Sequence, residues 1–128
     1  MRYALLIYVS EPAEDAVDVM PSEFAEYEAF STYIRARGAF QAGDALQPTA
    51  TATTVRIRDG QTLATDGPFA ETKEALGGFY LVEAADLDEA IDFASRIPGA
   101  KHGSIEIRPI FELPAEVIGA SAEAATPN

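Results

Sequence analysis

Cysteine and tryptophan are absent from the 128 residues, and histidine occurs once, at position 102. Without cysteine there are no disulfides, no thiolate metal ligands and no thiol nucleophile. A single histidine leaves no partner for a histidine-built metal site, so neither a metal nor a cofactor is expected. Basic residues are few. Nine Lys and Arg against 21 Asp and Glu leave a net charge of -12, which repels phosphate backbones and anionic membrane surfaces, so neither nucleic acid nor membrane is expected as a partner. Long apolar runs are missing too: Arg2 followed by YALLIYV is too short for a signal peptide or a membrane span, and a cytoplasmic protein is the expectation.

What is present reads as one domain. The 48% hydrophobic fraction is ordinary for a folded chain of this length, which buries roughly two-thirds of its unfolded surface. Arg2–Val9 alternates with apolar residues on both faces, as a central strand covered on two sides does. An acidic loop over Ser10–Met20 leads to a helix that Pro21 and Ser22 open and Arg35, Arg37 and Gly38 close, with Phe24, Tyr27, Phe30, Ser31 and Ile34 as its buried stripe. AFQAGDAL (39–46) reads as a strand, and Gly43 in it marks a bulge or a close approach by another group.

Thr51–Arg58 and Gln61–Thr65 flank Asp59-Gly60, a strong hairpin signal. GGFYLVEA (77–84) is again apolar on both faces. Asp86 and Glu89 form a capping-box pattern before a helix with the stripe Leu87, Ala90, Ile91, Ala94 and Ile97, and Ser104–Leu113 supplies a last strand with Ile105, Ile107 and Phe111 on one side. The order β, α, β, hairpin, β, α, β predicts an α+β, ferredoxin-like split βαβ arrangement with an inserted β-hairpin. It occupies residues 1–113, and the alanine-rich stretch 114–128 is expected to be a flexible tail. Two helices cover one face of such a sheet. The apolar second face predicts a two-fold homodimer.

The stretch TDGPFAETKEALGG (65–78) concentrates polar chemistry around a Gly67-Pro68 turn. It reads as a turn entering a short helical stretch closed by Gly77-Gly78, or as a ligand-contacting loop. In the second reading Phe69 folds inward, for a gain of roughly 1.5 to 3 kcal/mol, and pins Glu71, Thr72 and Lys73 at a pocket rim. Asp66 then accepts hydrogen bonds from the amides of the motif. Asp44 and Asp66, each beside a glycine, are the candidate catalytic carboxylates, and Arg108 is placed to answer one of them across the sheet. Tyr8, Asp44, Asp66, Phe69, Glu71, Lys73, Tyr80 and Arg108 together are the candidate ligand contacts. The two tyrosines, on central strands, fit core packing as well.

The run LQPTATATTVRIRDGQTLATDGPFAETKEALGGFYL (46–81), with RYALLIY before it and DLDEAIDFASRIPGAKHGSIEIRPI after it, resembles the DGPF branch of the YCII-related (YciI-like) family over essentially residues 1–113. The resemblance implies a ferredoxin-like fold of the dimeric α+β-barrel kind and no settled activity. Some members of the wider group carry a histidine in the first helix, proposed to act with an aspartate. SEFAEYEAFSTYIRAR (22–37) has none, so the pair does not transfer. Three functions follow as expectations: a small-molecule binding or sensory module; an enzyme of lyase or isomerase type using carboxylate chemistry; and a partner of a basic protein, since the resemblance also implies gene neighbourhood with extracytoplasmic-function sigma factors.

Overall fold

The computed structural model describes residues 1–11, 21–70 and 72–117, and in it Arg2–Ser10 becomes the strand β1 around which the sheet is laid. The remaining elements are α1 (Pro21–Ala36), β2 (Phe40–Ala45), β3 (Thr53–Arg58), β4 (Gln61–Asp66), β5 (Glu74–Glu83), α2 (Leu87–Ser95) and β6 (Ser104–Pro109). Short 3-10 turns stand at Thr49–Thr51 and Pro98–Lys101. The main sheet has the order β2-β5-β1-β6, antiparallel throughout, and β3 and β4 pair as a separate ribbon. Strand β5 lies between β1 and β2, and β1 between β5 and β6, so the chain makes two split βαβ units. This is the ferredoxin-like fold with an inserted hairpin. Among the described residues the sheet does not close into a barrel. The acidic loop 12–20 and the tail beyond 117 lie outside the described residues; before the latter, 115–117 make one helical turn.

Alternation sorts the strands. Tyr3, Leu5 and Ile7 point to the helices and are buried; Ala4, Leu6 and Tyr8 point the other way and are half-exposed. Leu5, Ile34, Val82, Phe93 and Ile97 form the fully buried centre. Helix α1 ends as its sequence requires: Gly38 N–H donates to the Arg35 carbonyl at 3.0 Å and Ala39 N–H to that of Ile34 at 2.9 Å, the paired bonds of a Schellman close. At the start of α2, Asp86 accepts from Glu89 N–H at 2.9 Å while the Glu89 carboxylate accepts from Ala85 N–H at 2.8 Å.

Several expectations are corrected. Phe24 lies exposed outside the α1 stripe, and in α2 the core position is taken by Phe93, with Leu87 and Ile91 turned to solvent. Ala90, Ala94 and Ile97 are buried as predicted, with Phe93 joining them in place of Leu87 and Ile91. Strand β6 ends at Pro109, with one further bond from Ile110 N–H to the Arg2 carbonyl at 3.0 Å, so Phe111 falls beyond the strand and is exposed. Of the two readings of Gly43, the close approach holds, with the Tyr80 ring against it, while the β2 register shift lies between Phe40 and Ala42. Gly77-Gly78 sit inside β5, and among the described residues no helical turn precedes them: a Cβ at Gly78 would lie 2.9 Å from the Asp44 carbonyl oxygen of β2, and one at Gly77 would lie 3.3 Å from Val9 of β1.

Candidate functional site

Strand β4 ends at Asp66, and the chain turns at Gly67, whose φ of +105° suits only glycine and not the extended backbone expected before a proline. Among the described residues no amide of the motif donates to the Asp66 carboxylate, which was expected to fasten the turn. Gly67 N–H donates to the Ala52 carbonyl at 2.8 Å, and Thr54 Oγ1 donates to the Gly67 carbonyl at 2.8 Å. Beneath it opens a cleft of about 290 Å³ lined by Glu11, Thr49, Gly67, Pro68, Ala70 and Thr72 among others. Gly67, Pro68, Ala70 and Thr72 of the motif line this cleft. Phe69, however, is 76% exposed: Pro68 and Ala70 face the cleft, which sends the residue between them outward, and the Arg56 guanidinium stands 5.1 Å from its ring centre. Lys73 is exposed, and Glu71 lies outside the described residues.

Glu11 is the residue that sequence reading missed. Its carboxylate accepts from Thr49 N–H at 2.7 Å and from the Thr49 hydroxyl, tying the end of β1 to the turn before β3. Those two bonds, the hydroxyl's first, hold the carboxyl below the usual glutamate range, so it is charged at neutral pH. Residues 38 apart in sequence give no local sign of such a bond. The one signal available is an acidic residue just past an apolar strand.

A second cluster lies on the sheet face away from the helices, where the register of β1 puts Ala4 beside Arg108, Leu6 beside Glu106 and Tyr8 beside Ser104. Arg108 Nη2 donates to Glu106 at 2.6 Å; this bond, with a lesser one from Tyr8, lowers the Glu106 carboxyl. Glu106 was also missed, although Glu-Ile-Arg in a strand places both charged ends on one face. Asp44 belongs to the same face but to the far edge, opposite Phe79. Three strand spacings, about 14 Å, separate it from Arg108, so the two do not pair as expected. Tyr80 projects to the helix side, edge-on to Phe30 with ring centres 4.9 Å apart, and burial raises its hydroxyl. Asp66 stands apart on the ribbon, opposite Thr53. The predicted contacts among the described residues are thus spread over four places: the loop, the open sheet face, the helix side and the ribbon.

Between the two helices runs a second concavity of about 360 Å³, lined by Glu26, Tyr33, Arg96 and Lys101 among others. Its cations are already matched, Arg96 to Asp92 at 3.1 Å and Lys101 to Glu26 at 2.8 Å. His102 Nε2 lies 3.4 Å from Glu23 at the surface. Among the described residues the carboxylates that the fold shifts, Glu11, Asp92, Glu106 and Glu112, are all lowered, which suits anchoring charge and not proton transfer near neutrality. No group of three acidic, histidine or cysteine side chains poised for a metal occurs among the described residues, and no helix there is long and apolar enough to cross a membrane.

Residues 1–114 match the family described as the YCII-related domain. An uncharacterized protein of Rhizobium meliloti (strain 1021) is 54% identical over 67 residues, which make up 51% of this chain and 54% of that one. The match spans about half the length of that relative.

Proposed function

The chain belongs to the YCII-related domain family, and from that premise we propose that it is a small-molecule binding module whose ligand lodges under the Gly67-Pro68 turn. The observation that carries this reading is the Glu11 carboxylate, fixed by Thr49 at the mouth of a cleft that the motif itself rims. Ligand sites pair a mostly apolar wall with a few oriented polar groups, and here the methyls of Ala50, Ala70 and Ala75 and the Pro68 ring supply the wall. At about 290 Å³ the cleft suits a ligand of few heavy atoms. An anchored carboxylate accepts and does not donate, so the ligand is a small amine or hydroxyl compound with a short apolar body. The surplus of negative charge favours a cation over an anion.

A thermal-shift series with short amines, amino alcohols and polyols tests it. A ligand at 100 times its Kd adds about 2.7 kcal/mol to the folded state, an easily read rise in melting temperature. The rise is expected in the wild type and reduced in Glu11→Gln. If no compound of these classes moves the wild type, or if Glu11→Gln responds equally, the site is elsewhere.

The module acts as a two-fold dimer. Both helices lie on one side of the sheet, leaving Ala4, Leu6, Tyr8, Phe79 and Leu81 half-exposed on the other, and the same face of a second copy is the cover that matches them.

A further inference from the structure

Among the described residues the ribbon of β3 and β4 has no strand partner but itself, and every residue of its two strands is exposed except the half-buried Thr54. Two-stranded ribbons are marginal on their own. This one is nonetheless well specified: Asp59 and Gly60 have φ of 51° and 75°, the left-handed pair of a tight type I′ turn, and the Thr54 and Gly67 bonds hold its root. Strands of six residues carry it about 20 Å outward. Along it Val55 and Ile57 are 60% and 65% exposed on one face, and Leu63 is 45% exposed on the other, beside Arg56.

Charge says what covers it. The ribbon has Arg56 and Arg58 against Asp59 and Asp66, so it is neutral and the whole net charge of -12 sits on the rest of the chain. Neither arginine has an ion-pair partner among the described residues: Arg56 lies over Phe69, and Arg58 donates to the carbonyl of its own neighbour Ile57 at 2.9 Å. An anionic polymer or lipid surface would be repelled by the body, and a basic protein would be drawn to the body and away from the ribbon. The two exposed arginines beside Val55 and Ile57 call for carboxylates next to an apolar face, and a second copy of this chain offers that pairing at short range, although the two bodies, at -12 each, repel at long range. We propose that the ribbon is an arm laid on the body of the second copy, with Val55 and Ile57 against the edge of its open sheet face and the two arginines reaching its carboxylates. The inference rests on the dimer reading above and is independent of the ligand cleft.

Light scattering and sedimentation of the full chain, with Ile57→Glu and the pair Arg56→Glu and Arg58→Glu, test it alongside hydrogen exchange of the wild type. The wild type is expected to be a dimer at micromolar concentration. Each variant should raise the dimer dissociation constant at least tenfold, and the charge-reversal effect should shrink as salt screens it. Amides of residues 53–66 should exchange slowly in the dimer and quickly on dilution. A wild-type dimer whose dissociation constant neither variant changes, or whose ribbon amides exchange alike in dimer and monomer, overturns the arm while leaving the sheet-face dimer in place. A wild-type monomer overturns both and leaves the ligand reading untouched. Should Ile57→Glu not fold, the exchange measurement on the wild type decides.

Discussion

The ring of Tyr80 fills the space that a side chain at Gly43 would need. A Cβ at that position would sit 2.6 Å from Cδ1 of Tyr80, 3.0 Å from Cε1 and 3.1 Å from the Phe79 carbonyl oxygen. The ring cannot swing aside cheaply, because it packs edge-on against Phe30 on one side and Phe40 on the other. Gly43→Ala is therefore expected to cost about 1 to 3 kcal/mol, as overpacking does, and the cost should fall when Tyr80→Leu is added, since neighbouring substitutions couple. Denaturant melts of the two single variants and the double variant measure it; strict additivity would show that the contact is not the cause.

Phe69 and Phe93 differ in consequence although both are phenylalanines next to alanine. Phe93 is fully buried, and Phe93→Ala should cost about 3 to 5 kcal/mol. Phe69 is mostly exposed beneath the Arg56 guanidinium, so Phe69→Ala in dilute protein should cost less than about 1 kcal/mol. Equal shifts of the two unfolding midpoints would contradict this placement of the loop.

Acid should destabilise the fold only late. Glu11, Asp92, Glu106 and Glu112 are lowered by Thr49, by Arg96 with Tyr33, by Arg108 and by Arg2 respectively. A lowered folded pKa contributes stability that is fully present above the unfolded value, about 4, and is lost as pH falls through the folded value. The pairs are exposed, so the loss is shallow. A melting-temperature series is expected to hold from neutrality to about pH 5 and decline below about pH 4, less steeply in Thr49→Val. A rise below pH 4 would reverse the sign of the argument.

The frame of this fold was legible because it is written in periodicity. Apolar alternation on both faces marked β1 and β5 as central, and Asp59-Gly60 fixed the ribbon's register down to Arg58 against Gln61. The site was less so, since its contacts join distant residues: Thr49 to Glu11, Thr54 to Gly67, Tyr80 to Gly43. Phe69 was misplaced because burial was inferred from hydrophobicity alone, whereas the alternation of Pro68, Phe69 and Ala70 decides which side each faces. Gly77-Gly78 misled for a related reason. Glycine ends helices, but it also admits a neighbouring backbone, and only the partner strand tells which.

The strand order β2-β5-β1-β6 has a kinetic side. The Met1 ammonium donates to the Ala84 carbonyl, 83 residues away, and β1 finds both its neighbours in the second half of the chain. Contacts of such separation close large loops before any pairing rewards them, which slows folding relative to helical proteins of similar size. During synthesis, at about 5 to 20 residues per second, the apolar segment Tyr3–Val9 leaves the ribosome several seconds before β5 exists. For that interval it is a sticky strand with no sheet to join, and the first thing this chain needs in a cell is time without neighbours.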